Sequence, residues 1–308
     1  MEAQLNVTYI SLGGYLEVQK YRYVYFVIMF TVYILIICCN STIVCLIWIQ
    51  KNLHEPMYIF IAALLLNSVL FSTVTYPKLL IDVLSEKQII SFQACLFQWF
   101  IYSCLVTSDF LLLSAMAYDR YVSICNPLHY PTIMRKTTIK VFLVTAWLVP
   151  VCEIAGAVVL YANIKLCHFS LKGLFCNSSI YTLQCVHSAA LFIYGVFVLL
   201  NIGLFPMLFI LFTYTRILII SYRSCKKVRR KAAQTCLPHL LVLISFSCFV
   251  TYDIIVVRLE SDLPKLARLI MTLQMILYHP LFNPIIYGLK MKEISKHLKS
   301  LLFHVKSH

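Results

Sequence analysis

Residues 116–130 read MAYDRYVSICNPLHY. Within a few letters an apolar run gives way to an acid and a base side by side, Asp119-Arg120. The run they close, 96–118, is the third of seven, near 24–49, 57–81, 96–118, 139–161, 191–220, 237–257 and 267–289. Each is long enough to cross a hydrocarbon core of ~30 Å as a helix. The runs are continuous, whereas a membrane barrel would show alternating segments of about 10 residues. The chain is 61% hydrophobic and 12% charged, far from the balance of a soluble domain. The expected fold is therefore all-α: a seven-transmembrane helix bundle, one domain over residues 1–308.

Charge sets the expected orientation. Lys51 follows the first run; Arg120, Arg135, Lys136 and Lys140 follow the third; a dense basic cluster, 223–231, follows the fifth; Lys290, Lys292, Lys296 and Lys299 follow the seventh. Positive segments stay inside, which puts tail 1–23 outside the cell and tail 290–308 in the cytosol, with the chain in the plasma membrane. The net charge of +14 does not argue for nucleic acid, because the basic residues lie between apolar runs. Residues 1–22 lack the pattern of a cleavable signal peptide, so the first run is expected to serve as its own insertion signal. Asn6 and Asn177 open glycosylation sequons on the outer side. After the seventh run, the lysines of 290–303 alternate with Met291, Ile294, Leu298, Leu301 and Leu302. That spacing predicts a short amphipathic helix on anionic inner-leaflet lipid.

Most of the thirteen cysteines lie inside apolar runs and read as small hydrophobes. Cys95, Cys167, Cys176 and Cys185 lie on the outer side, where disulfides persist, and four cysteines allow three connectivities. No Cys/His spacing suggests zinc, and no cofactor is implied.

Several residues within the runs are candidates for function. Asp109 is a carboxylate in mid-span and should face the interior with a partner; Asn67, Ser68, Ser114 and Asn283 are available. It reads equally as a cation ligand or as a protonated, hydrogen-bonded group. Tyr102, Ser103, Val106 and Thr107 share one helical face and are candidates to line a ligand cavity in the outer half, where small-molecule sites are apolar with few polar groups. Val198, Ile202, Val250, Thr251, Ile254 and Leu273 join them from other runs, though each also suits ordinary packing. Asp253 and Arg258 could read a charged or polar small molecule, or Arg258 could simply snorkel outward. Asp119-Arg120-Tyr121 reads as a latch, with Arg120 held by Asp119 at rest and freed for a cytosolic partner.

The stretch 116–130 closely resembles the signature of olfactory receptors, a branch of the rhodopsin-like G-protein-coupled receptors. Pro56-Met57-Tyr58, Thr213-Tyr214, KAAQTCLPHL at 231–240 and Asn283-Pro284-Ile285-Ile286-Tyr287 are similar to further motifs of that family. The variants ALLLNS at 63–68 and SYRSCKKVRRKAAQTCLPHLL look most like its fish branch. The resemblance implies an odorant-activated receptor, not an enzyme, that couples to a stimulatory heterotrimeric G protein in olfactory cilia. It implies that Arg120, Tyr214 and Tyr287 rearrange on activation, that Asn40, Trp147, Pro206 and Pro284 are landmark positions, and that Cys95 pairs with Cys176 and Cys167 with Cys185. The chain departs from the family pattern at three places. Asp109 stands where a Glu is usual, Ser68 where an Asp completes a sodium site, and Ser247 where a Tyr floors the ligand cavity.

Other classes fit less well. A transporter or channel would show broken helices, internal symmetry or a polar pore. An intramembrane enzyme would show paired carboxylates or metal-ligand spacing. A non-olfactory receptor for another small molecule remains the near alternative; an amine receptor would carry Asp where Tyr102 stands.

Overall fold

The structure is a computed structural model and describes residues 8–15, 18–162, 164–185, 188–223, 236–237, 239–248 and 264–306. The helices are α1 (Val18–Ile49), α2 (Pro56–Leu84), α3 (Phe92–Cys125), α4 (Lys136–Ala162), α5 (Ala189–Arg223), α6 (His239–Cys248), α7 (Lys265–Lys290) and α8 (Lys292–Lys306). Among the described residues, α1 to α5 are each long and apolar enough to cross a membrane, and α7 joins them if its two halves count as one span. α6 is the described part of the apolar run at 237–257.

The helices extend past their apolar runs because backbone hydrogen bonding continues into the polar margin. Their starts are signalled locally. Pro56 opens α2, where its missing N–H costs nothing. Ser91 caps α3 by accepting from the Ala94 N–H at 3.3 Å, satisfying one orphan donor. The prolines inside the spans leave traces. α7 bends by 44° between Lys265–Tyr278 and Pro280–Lys290. In α5 a π-turn, Leu199–Leu204, ends two residues before Pro206; such bulges and Pro are recognised sources of helix distortion.

α3 runs through the middle, packed on α2, α4 and α5, while α1 packs on α2 and α7. The main core runs from Met29 to Ile294, and a second, smaller cluster gathers Ile10, Leu12, Ile90, Cys95, Leu171 and Cys176. Outward faces are equally apolar: Val144, Leu148 and Phe205 are all largely exposed, as expected where lipid is the solvent. α8 lies against the bundle through Ile294 and Leu298, with Lys292, Lys296 and Lys299 exposed.

At the opposite end from Arg120 sits a small sheet that the apolar pattern does not announce. β1 (Tyr9–Leu12) pairs antiparallel with β2 (Ile89–Ser91) and parallel with β3 (Ser170–Leu171). Its alternation is that of a strand with one face covered: Ile10 and Leu12 are buried, Tyr9 and Ser11 exposed. Cys95 is bonded to Cys176, and Cys167 to Cys185. The first bond ties the head of α3 to the loop that carries β3.

Candidate functional site

A cavity of about 220 Å³ opens at the sheet end between α3, α4 and α5. The α3 stripe forms one wall: Tyr102, Ser103, Val106 and Thr107, extended by Trp99 and Phe110 at the same three- and four-residue spacing. Val198 and Ile202 of α5 form another. Three further expected residues, Val250, Thr251 and Ile254, lie outside the described residues, as do Asp253 and Arg258. Leu273 and Ser247 fall outside the lining. On α7 it is Met275 that faces the cavity, two residues and therefore about 200° round the helix from Leu273. Ser247 instead has a buried hydroxyl with no hydrogen-bond partner among the described residues.

The polar content of this cavity is small. Thr107 donates to the Ser103 carbonyl at 2.7 Å and the Cys104 carbonyl at 3.0 Å, leaving its lone pairs to accept. The Tyr102 hydroxyl reaches Met275 Sδ at 3.2 Å, and its ring meets Phe71 and Phe175 at 5.6 and 5.2 Å. Phe175 comes from the disulfide-tied loop, so that loop closes over Tyr102. Tyr181 and Ser178 of the same loop also line the cavity. They sit in a short 3₁₀ helix, Ser178–Leu183, outside the seven apolar runs, which is why the sequence did not mark them.

The α4–α5 wall holds a group the sequence reading passed over, though an ionisable residue within a span signals function by itself. Glu153 lies on α4, and its Oε2 is buried with no hydrogen-bond partner among the described residues. Tyr194, which lines the cavity, donates its hydroxyl to the Glu153 carbonyl at 2.7 Å. It can do so because position 156 is Gly; a Cβ there would sit 2.2 Å from the Tyr194 hydroxyl.

Below the cavity lies a polar core. Asp109 is 1% exposed. Its Oδ1 accepts from Asn67 Nδ2 at 2.8 Å, and Trp147 Nε1 donates to Asn67 Oδ1 at 3.2 Å. Ser68 is engaged elsewhere, accepting from Asn283 Nδ2 at 3.2 Å. Asn40 donates to the Pro280 carbonyl at 2.9 Å, a group near the bend of α7. The network thus ties α1, α2, α3, α4 and α7.

At the far end Arg120 Nη2 and Nε both donate to Asp119 Oδ2, and Asp119 is fully buried. The second carboxylate oxygen accepts from the Tyr130 hydroxyl at 2.7 Å. Burial, and then the neighbouring Asp119 carboxylate, push the Tyr130 phenol well above its ordinary range, so it stays a donor. Tyr214 and Tyr287 are buried nearby, Tyr121 partly so. Tyr287 meets His239 Nδ1 at 3.3 Å, joining α7 to α6. Asn283 and Pro284 lie one turn away, within α7.

Asn6 lies outside the described residues. Asn177 is 8% exposed, and its Oδ1 accepts from the Ser179 N–H and hydroxyl. The folded loop does not present this amide, so a glycan there would have to be added before the loop closes.

A helix bundle packed on a central α3, a disulfide-tied loop over an apolar cavity and an Asp–Arg pair at the other end define a rhodopsin-like receptor. Squid rhodopsin superposes with a TM-score of 0.73 over 91% of this chain and 80% of its own, at 18% identity. The family described as olfactory receptor matches residues 29–305. Human olfactory receptor 11A1 is 33% identical over 96% of this chain and 94% of its own. Human olfactory receptor 10A7 is 32% identical over 97% and 95%. The chain belongs to the olfactory receptor family: it is a multi-pass membrane receptor activated by odorants, not an enzyme.

Proposed function

We propose that the odorant occupies the 220 Å³ cavity and that Asp119-Arg120 is the latch it releases. The cavity carries this reading. It is enclosed by Tyr102, Val106, Phe110, Val198 and Ile202, with Ser103 and Thr107 among its few polar side chains. A small, mainly hydrocarbon molecule with one hydrogen-bond donor suits it, because Thr107 has spent its own proton on the helix. Such a ligand shifts the bundle only through its differential affinity for the active arrangement.

In this reading the sheet end faces outside, the basic end faces the cytosol, and the receptor resides in the plasma membrane of olfactory cilia. Freed Arg120 and the basic 223–231 segment then dock a stimulatory G protein, and cyclic AMP rises. α8 rests on anionic lipid. Asp109 serves as a structural member of the polar core, because Asn67 takes the place beside it and Ser68 is turned to Asn283. The motif variants at 63–68 and in the 221–241 stretch favour the fish branch.

The test is an odorant screen on cells coexpressing the stimulatory G protein, followed by Ile202→Phe on any hit. The added ring should raise the half-maximal concentration at least tenfold with normal surface expression. An unchanged response would remove the odorant from this cavity.

A further inference from the structure

We propose that a second cavity, between α3, α4 and α5 on the Arg120 side of the first, is a binding site for one hydrocarbon chain of a bilayer phospholipid. Its volume is about 310 Å³. Ala115 and Ala146 form a buried floor; Tyr118, Phe142 and Phe209 form aromatic walls. The Tyr118 ring meets Phe142 at 5.6 Å and Phe209 at 6.3 Å. Phe205, 69% exposed, marks the side that opens outward from the bundle.

Depth and hydrogen-bond accounting choose the occupant. The α3 wall runs from Leu111 to Tyr118, so its far edge lies roughly 13 Å along the helix from Arg120. That is within a hydrocarbon core of ~30 Å, and a lateral opening at that depth meets lipid tails. The cavity has two aliphatic hydroxyls, and both are spent on their own helices. Ser114 donates to the Phe110 carbonyl at 2.9 Å, and Thr145 to the Val141 and Phe142 carbonyls. Such back-bonding leaves neither of these two hydroxyls a proton for a ligand. A saturated or monounsaturated chain needs none, and it can pack against the aromatic walls by dispersion contacts, the force left to apolar groups already in lipid. The site is distinct from the odorant cavity yet shares α5 with it: Gly203 lines the first, Phe205 the second. A bound chain would brace α5 just beyond its π-turn, beside the residue that precedes Asp119.

The full-length receptor is reconstituted in phosphatidylcholine nanodiscs containing a trace of phosphatidylcholine with a diazirine in one acyl chain. After photolysis, labelled peptides are mapped by mass spectrometry. Phe142, Thr145 and Phe209 should be labelled at least fivefold more than Val144 and Leu148, which face outward from α4. Ala146→Phe and Ala115→Leu, on separate helices, should each remove most of that excess. If one variant fails to elute as a monodisperse receptor, the other decides. Thr145→Val should retain it, since the hydroxyl is not used. Even labelling of groove and outer face would mean ordinary surrounding lipid and overturn the site. Loss of labelling in Thr145→Val, or its displacement by added cholesterol, would overturn the assignment to a hydrocarbon chain.

Discussion

The tripeptide Asp119-Arg120-Tyr121 is common enough to mean little alone, and its setting gives it a mechanism. Asp119 is buried between two donors, Arg120 on one oxygen and Tyr130 on the other. A buried carboxylate needs both, because an unpaired buried charge is costly. Arg120→Ala should abolish odorant-evoked cyclic AMP at normal surface expression; an intact response would sink the latch. Tyr130→Phe should instead loosen it. A hydrogen bond to a charged group contributes about 1.5–3 kcal/mol, so odorant-free cyclic AMP should rise several-fold. The effect should not depend on pH from 6 to 9. Tyr130 has its folded pKa raised, so the bond is fully present below the unfolded value of about 10 and is lost only above the folded one. A basal signal that climbed between pH 7 and 9 would contradict this. Tyr130 is the last letter of the stretch 116–130. Its partnership was not legible there, because it depends on the chain folding back after α3 through a short 3₁₀ turn, Pro127–His129.

Helices with one strong period were legible, and so were the cavity residues lying on one. The α3 stripe needed only Trp99 and Phe110 added at either end. α7 shows the limit: Leu273 and Met275 are equally apolar, and only the rotation of a helix bent at Pro280 decides which of them faces inward. β1 was not legible, since four residues of alternating burial cannot be told from a tail until β2 and β3 flank them. The α4–α5 contact was hidden too, because it rests on a missing side chain. Gly156→Ala would place a Cβ against the Tyr194 hydroxyl. The phenol must move and surrender its bond to the Glu153 carbonyl. A flexible side chain can yield cheaply, so expression should change little. The cavity wall should shift, changing the rank order of odorants by threefold or more while the maximal response holds. An unaltered rank order would show that Tyr194 does not shape the ligand.

Across the whole molecule, distant pieces of chain converge on the cavity's cover. β1 comes from the N-terminal segment, β2 from the α2–α3 link and β3 from the loop after α4, and Gly14 meets the Gly173 backbone so closely that a Cβ would lie 2.5 Å from it. The disulfides hold the loop on different scales. Cys95–Cys176 spans 81 residues and Cys167–Cys185 spans 18. In the chain-entropy account the longer closure stabilises more, by roughly 1 kcal/mol here. The longer bond also carries local structure: the Cys176 N–H donates to Gln98 Oε1 at 3.1 Å, one residue from Trp99 in the cavity wall. Breaking Cys95–Cys176 with paired Ser substitutions should therefore lower the unfolding midpoint of the solubilised receptor further than breaking Cys167–Cys185. It should also weaken the odorant response of the molecules that reach the surface. Separating the two effects requires binding measured per folded receptor. If both double variants unfolded alike and bound alike, the cover would be held by the sheet and its buried Ile10 and Leu12, and the disulfides would be incidental to the site.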